Sequence, residues 1–344
     1  MARSSDSNPA ATPDGRSVTL NDVARAAGVS LVTASRALKK PALVSPATIE
    51  KVQRAVQATG YIPNLLAGGL KSNRSMTVAA LVPYIAVPQF LPTLQALTET
   101  LDEAGYQLIL GQTGYNRARE NALLNTMITR RVDAIVFAGL LSPDAPLAQL
   151  TRLGIPVVET WDLTARPLDM LVGFSHTQVG SSVGGFFLKR GWRKVGIATA
   201  DDERAMQRCQ GFLSVMGDQV PVWKVKAPST LAAGRHALAE LLKREPKLEA
   251  VFCSSDGMAN GLLIEARERG LRVPEDLAVC GFGDADFAAH LSPALTTVRV
   301  DGAEIGRQAA RMVLARCRGE TVPERVVDVG FRIIERASTG QAKD

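Results

Sequence analysis

Between residues 18 and 56 apolar positions recur with the period of a helix, whereas from residue 76 onward they gather into short unbroken runs separated by helical stretches. Leu20, Val23, Ala24 and Ala27 follow an i, i+3, i+4, i+7 spacing, which predicts a short helix with one buried stripe. Thr19 precedes it and Asp22 lies three residues on, the arrangement of a capping box. Gly28 suits a left-handed C-terminal residue, and Ser30 is placed to cap a second helix whose Ala34 and Leu38 face back toward the first. Ser45-Pro46 opens a third, with Ile49, Val52 and Val56 inward. Three helices of this size predict a helix-turn-helix head over residues 17–62, after a disordered tail at 1–16.

The runs that follow are of a different kind. "TVAALV" (77–82), "AIVFAG" (134–139), "IPVVET" (155–160), "KVGIATA" (194–200), "EAVFCSS" (249–255) and "DLAVCGF" (276–282) alternate with helical segments. That alternation predicts parallel sheet with crossover helices, and there is too much of it for one sheet. The expected fold class is therefore α/β: a three-helix head followed by two doubly wound parallel-sheet lobes. In such lobes ligands sit beyond the carboxyl ends of the strands. Between head and body, "YIPNLLAGGLKSNRS" (61–75) has an X-Pro break, a weak helical segment and a polar end, as expected of a linker.

Charge changes this picture more than composition does. Residues 16–75 hold nine Lys and Arg against two Asp and Glu, while residues 76–344 balance to zero, so the chain's net charge of +6 resides in the head. A basic module on a neutral body is the footprint of phosphate binding. The second helix would enter the major groove, where Leu31 and Val32 suit thymine methyl groups and Arg36 suits guanine or phosphate. Cys209, Cys253, Cys280 and Cys317 form no C-x-x-C pair, and His176, His236 and His290 no ligand spacing, so reduced thiols in a cytoplasmic protein without a metal are expected. No apolar region follows a basic start as in a secretory signal, and the run from Val78 to Val87 is short and broken by Pro83, so no membrane association is expected. No nucleophile elbow, P-loop or G-x-G-x-x-G follows the first strand. "VGSSVGGFF" (179–187) reads as a helix packed closely through small residues. Neither enzymatic activity nor a cofactor is expected.

"TLNDVARAAGVSLVTASRAL", "GYIPNLLAGGLK", "RRVDAIVFAG", "AVFCSSDGMANG", "GLRVPEDLAVCGFGD" and "LTTVRVDGAEIGRQAARMVL" stand in this order along the chain. In these motifs, from about residue 17 to 335, the chain resembles the lactose-repressor (LacI/GalR) family of bacterial transcriptional regulators. "VVETWDLTARPLDMLVGFSHTQVG" (157–180) and "VVDVGFRI" look most like the branch that represses gluconate operons. The resemblance implies a homodimer, or a tetramer, on double-stranded operator DNA, with a small effector between periplasmic-binding-protein-like lobes. The expected boundaries are a hinge at 63–75 and a two-lobed domain at 76–335, ending in a tail at 336–344. The first lobe is expected at about 76–174 plus 300–322 and the second at about 175–299 plus 323–335.

Carried over position by position, the resemblance implies DNA contacts by Thr19, Ser30, Leu31, Val32, Thr33, Ser35 and Arg36, and by Asn64, Ala67 and Leu70 of the hinge. Arg208 matches the family's arginine that forks onto effector oxygens, a geometry suited to a carboxylate or vicinal hydroxyls. Arg204, one turn earlier, is a second contact or, by preference, a surface residue. Ser255, where asparagine is usual, and Asp256 follow a strand end. Tyr84, Gln89, Phe90, Glu159, Trp161, Phe174, Phe282 and Asp284 complete the expected effector set. Gly283 stands where much of the family has an aspartate for neutral sugar hydroxyls, and its loss favours a sugar acid. Glu159 and Asp162 argue the other way, which leaves a neutral sugar or polyol open.

The hinge departs from the family more consequentially than the head, where Ala34 merely replaces a common valine. In the family this segment becomes helical on DNA and a leucine, here Leu70, wedges into the minor groove. Gly68 and Gly69 stand where better helix formers are usual, and each costs about 1 kcal/mol relative to alanine. Replacing both by Ala is expected to tighten operator binding in a DNA titration; unchanged or weaker affinity would refute this account of the hinge.

Overall fold

The computed structural model describes residues 18–62 and 74–340. The chain divides into two compact units, Met1–Ser75 and Met76–Asp344. The expected hinge contacts Asn64, Ala67 and Leu70, with Gly68 and Gly69, lie outside the described residues.

In the first unit the expected helices are α1 (Leu20–Ala27), α2 (Leu31–Lys39) and α3 (Pro46–Thr59). Asp22 accepts from both the Thr19 N–H at 2.9 Å and the Thr19 hydroxyl at 2.6 Å, which satisfies a donor at the mouth of α1. Gly28 ends the helix at φ 64°, and the Ser30 hydroxyl caps α2 by accepting the Thr33 N–H at 3.1 Å. Val23, Ala37, Val52 and Ala55 form the core, with Leu20, Leu38, Ile49 and Val56 packed around it. Ala34 is fully buried as well. Small side chains at Ala34, Ala37 and Ala55 lie at its centre, with larger aliphatic ones around them.

The second unit holds two six-stranded sheets. The first is built from β1 (Thr77–Val82), β2 (Gln107–Gln112), β3 (Ala134–Ala138), β4 (Val157–Thr160), β5 (Met170–Gly173) and β11 (Val326–Asp328), in the order β11-β5-β4-β3-β1-β2 and parallel throughout. Helices α4 (Leu91–Glu103), α5 (Arg117–Thr129), α6 (Leu147–Leu153) and, late in the chain, α11 (Gly302–Arg318) belong to this lobe, with α11 packed on α4. The second sheet comprises β6 (Val195–Ala200), β7 (Val222–Val225), β8 (Ala250–Cys253), β9 (Ala278–Phe282), β10 (Thr296–Arg299) and β12 (Arg332–Ile334), in the order β12-β10-β9-β8-β6-β7. Its helices are α7 (His176–Lys189), α8 (Glu203–Met216), α9 (Leu231–Arg244) and α10 (Asp256–Glu268). The chain crosses between the lobes after β5, after β10 and after β11.

Three expectations are corrected here. β11 pairs with β5, Val326 opposite Leu171, so the last crossing comes after Asp328 and not near residue 323. β12 runs antiparallel to β10, because the short return from β11 allows no crossover helix; the second lobe is therefore not wholly parallel. Residues 336–340 are no tail. Ser338 and Thr339 are buried, with the Ser338 hydroxyl donating to Val279 O at 2.6 Å and accepting the Thr296 N–H at 2.8 Å.

The glycine-rich α7 packs against α8 more closely than any side chain would permit. A Cβ on Gly180 would lie 1.9 Å from Arg208 O, and one on Gly211 would lie 2.0 Å from Thr177 O. The backbone contact fixes where α8 stands, and with it Arg208. Gly180→Ala is expected to destabilise the protein by about 1–3 kcal/mol, as overpacking does. A urea midpoint equal to that of the wild type would show that the helices can separate without cost.

Candidate functional site

On α2, Leu31 is 45% and Val32 58% exposed, so neither serves the core of the head. Arg36 is exposed on the same helix, Thr33 and Ser35 are half-buried, and Ser30 and Thr19 are engaged at helix starts. The described residues thus present an apolar and basic face on the second helix, without a partner inside the unit.

In the second unit the lobes enclose a cavity of about 320 Å³. Its lining comes from chain just past strand ends: Tyr84 after β1, Tyr115 after β2, Trp161 after β4, His176 after β5, the start of α8 after β6, and Ser254 to Asp256 after β8. The opened ends of two parallel sheets face each other there, as expected for such folds.

Arg208 and Arg204 are both buried against this space. Arg208 donates from Nη1 to His176 Nδ1 at 2.8 Å and from Nη2 to Ser254 O at 3.1 Å, and its guanidinium lies 4.0 Å from the centre of the Phe282 ring. Its Nε has no partner and, among the described residues, it makes no ion pair. Burial lowers its pKa to about 10, which still leaves it charged at neutral pH. Arg204 donates to Ala138 O at 3.3 Å and lies over the rings of Phe90 and Tyr115. It is therefore a buried wall residue, against the sequence-based preference for a surface position. Asp202 lines the cavity but caps α8, accepting the Ala205 N–H at 3.1 Å.

The lining contributed by Ser229, Ser255 and Asp256, in the same lobe as the arginines, is rich in oxygen. Ser255 caps α10 and shares a hydrogen bond of 2.8 Å with Ser229. Asp256 accepts from the Thr297 hydroxyl at 2.6 Å and from the Ala285 N–H at 2.7 Å. Burial raises its pKa from 3.8 to about 6 despite these two bonds. Gly283 adopts φ 125°, a conformation that L side chains rarely take, and a Cβ there would lie 3.5 Å from Gln89 Oε1. The backbone at this position, not only the missing carboxylate, departs from what an aspartate would need.

Of the expected effector residues, Tyr84, Gln89, Trp161, Arg208, Ser255, Asp256 and Phe282 line the cavity. Four do not. Phe90 and Phe174 stand behind the wall, each packed edge-on to Trp161. Glu159 faces elsewhere, accepting the N–H groups of Leu141 at 2.7 Å and Leu168 at 2.8 Å. Asp284 turns outward to Arg299 and to Arg336 at 2.7 Å. Missed in the sequence were His176, Tyr115, Asp202 and Ser229. Tyr115, His176 and Ser229 follow β2, β5 and β7, which lie outside the six apolar runs of the sequence, whereas Asp202 follows β6, whose run at 194–200 is evident. Among the described residues no group of side chains is arranged to hold a metal ion, and no helix is long and apolar enough to cross a membrane.

A DNA-facing helical head joined to a two-lobed ligand-binding body defines a class of ligand-responsive DNA-binding proteins. Residues 19–64 match the bacterial regulatory proteins of the lacI family, and residues 185–339 match the periplasmic binding protein-like domain. The chain is 35% identical to the HTH-type transcriptional regulator GntR of Pseudomonas aeruginosa over 93% of its own length and 95% of that protein's. Identity to the regulator of the same name from Escherichia coli is 31%, over 91% and 96%. A crystal structure of a LacI-family regulator from Silicibacter pomeroyi superposes with a TM-score of 0.87 at 32% identity, covering 94% of this chain and all of that one. The chain belongs to the lacI family: it is a DNA-binding transcriptional repressor, and its relatives are regulators, not enzymes.

The raised pKa of Asp256 has a measurable consequence. Between pH 3.8 and about 6 the folded protein holds a proton that the unfolded chain has lost, so this group's contribution to stability falls as pH rises through that window. Asp256→Asn carries no such proton. Its stability relative to wild type is expected to improve by about 1–3 kcal/mol between pH 4 and pH 7.5. A pH-independent difference in urea melts would contradict this.

Proposed function

We propose that the chain is a homodimeric cytoplasmic repressor that leaves its operator when a small sugar acid, gluconate or a related aldonate, binds between the lobes. The observation that carries the reading is the pair of buried arginines on one cavity wall, one with an unpartnered Nε and neither in an ion pair among the described residues. A buried cation without a counter-ion is costly unless a ligand supplies one. An anionic head at Arg204 and Arg208, with hydroxyls toward Ser229, Ser255 and Asp256, matches the donors and acceptors that line the cavity. The kinship with the GntR regulators supports the same choice. On the head, Leu31, Val32, Thr33, Ser35 and Arg36 would read the groove, with Thr19 and Ser30 at the backbone.

Ligand that binds the closed lobes more tightly than the open ones shifts the population, and a coupling of about 1–3 kcal/mol changes operator affinity roughly 5- to 150-fold. Calorimetric titration of the full-length protein with gluconate, ketogluconate, 6-phosphogluconate, ribose and galactose is expected to show selective binding of one acid. Arg208→Ala should weaken it by about tenfold or more, the worth of a charged hydrogen bond. The bound acid should lower affinity for operator DNA. Binding of a neutral sugar alone would refute the acid reading, and an acid that tightens DNA binding would refute its sign.

A further inference from the structure

His176 is a buried titratable group at the cavity that the proposed function leaves without a task. It opens α7, in the second lobe, and its ring lies against Phe174 and Phe282 with centroids at 4.5 and 6.1 Å. Its Nε2 lies 2.9 Å from the carbonyl oxygen of Trp161, which belongs to the first lobe. Its Nδ1 lies 2.8 Å from Arg208 Nη1. A carbonyl only accepts and a guanidinium only donates, so both partners require the same state of the ring: hydrogen on Nε2 and a lone pair on Nδ1. Burial, with Arg208 and Arg204 nearby, also holds the imidazole well below its ordinary pKa.

An arginine side chain has several rotatable bonds, and a planar donor selects for a carboxylate only when its plane is fixed. Here one Nη is taken by His176, the other by Ser254 O, and the face by Phe282. Nε is the guanidinium nitrogen left without a partner, and its N–H lies on an edge shared with a second N–H of one Nη. We propose that His176 is a positioning residue, a neutral bridge from the Trp161 carbonyl to Arg208 that fixes the guanidinium plane for an anionic ligand. The bridge runs from one lobe to the other, so a change in their separation is passed directly to the group that meets the ligand. For its ligand this inference rests on the sugar-acid reading; for the bridge it rests on the geometry alone.

The test has two arms on the full-length protein. Nitrogen-15 NMR of histidine-labelled, ligand-free protein should show the His176 ring as a neutral Nε2–H tautomer from pH 6 to pH 8. A cationic ring or an Nδ1–H tautomer would overturn the bridge. In calorimetry with potassium gluconate, His176→Phe keeps a ring but loses the acceptor and is expected to bind about tenfold more weakly. His176→Asn returns an acceptor oxygen near Nδ1 and should stay within about threefold of wild type, a recovery that packing alone does not predict. Phe within twofold of wild type, or Asn no better than Phe, would overturn the proposal. Absence of gluconate binding by the wild type would sink the sugar-acid reading, and the tautomer signal would then decide the bridge by itself. The same signal decides it if the Phe variant fails to fold.

Discussion

The body of this protein is organised around a guanidinium held out of water without a salt-bridged carboxylate, Asp202 and Asp162 acting on it only through space. Arg208 is tolerated there because every neighbour partly replaces solvent: a carbonyl, a neutral imidazole and an aromatic face. None of these forms an ion pair with it, so its charge is only partly balanced. The backbone contact between α7 and α8 belongs to the same arrangement. Gly180 touches the carbonyl of Arg208 itself, and a bulkier residue would move the charged side chain along with its helix.

The connectivity makes such a site useful in a regulator. Three crossings join the lobes, and each lobe carries a complete six-stranded sheet with its own helices. A change in lobe separation would therefore leave each sheet intact. The cavity lies where the carboxyl ends of the two sheets oppose one another, so any ligand there touches both. Trp161 illustrates the economy of the design: its left-handed backbone ends β4, its indole N–H donates to Thr93, and its carbonyl reaches His176 in the other lobe.

Much of this was legible before the structure. The helices of the head, their caps at Thr19, Ser30 and Gly28, and the exposure of Leu31 and Val32 follow from spacing within a dozen residues. The two-lobed α/β class followed from six apolar runs, and Arg208, Asp256 and Trp161 were found through family likeness. The errors have one origin. Phe90, Phe174, Glu159 and Asp284 sit in the right stretches of chain but face away from the cavity, whereas Tyr115, His176 and Ser229 follow strands outside those runs, and Asp202 stands just past a run that is evident.

The sequence by itself determined what is local: the helical periods, their caps, the concentration of positive charge ahead of residue 76, and the strand-forming runs. Only the tertiary structure decided which side chain beyond each strand turns inward, that β11 closes the first sheet while β12 runs antiparallel in the second, and that His176 of one lobe meets a carbonyl of the other. The physical reason is that caps and amphipathic stripes are made by neighbours within a few residues in the chain, whereas the direction of a side chain past a strand end depends on partners brought in from other elements, such as Arg299 and Arg336 for Asp284 and His176 and Ser254 for Arg208.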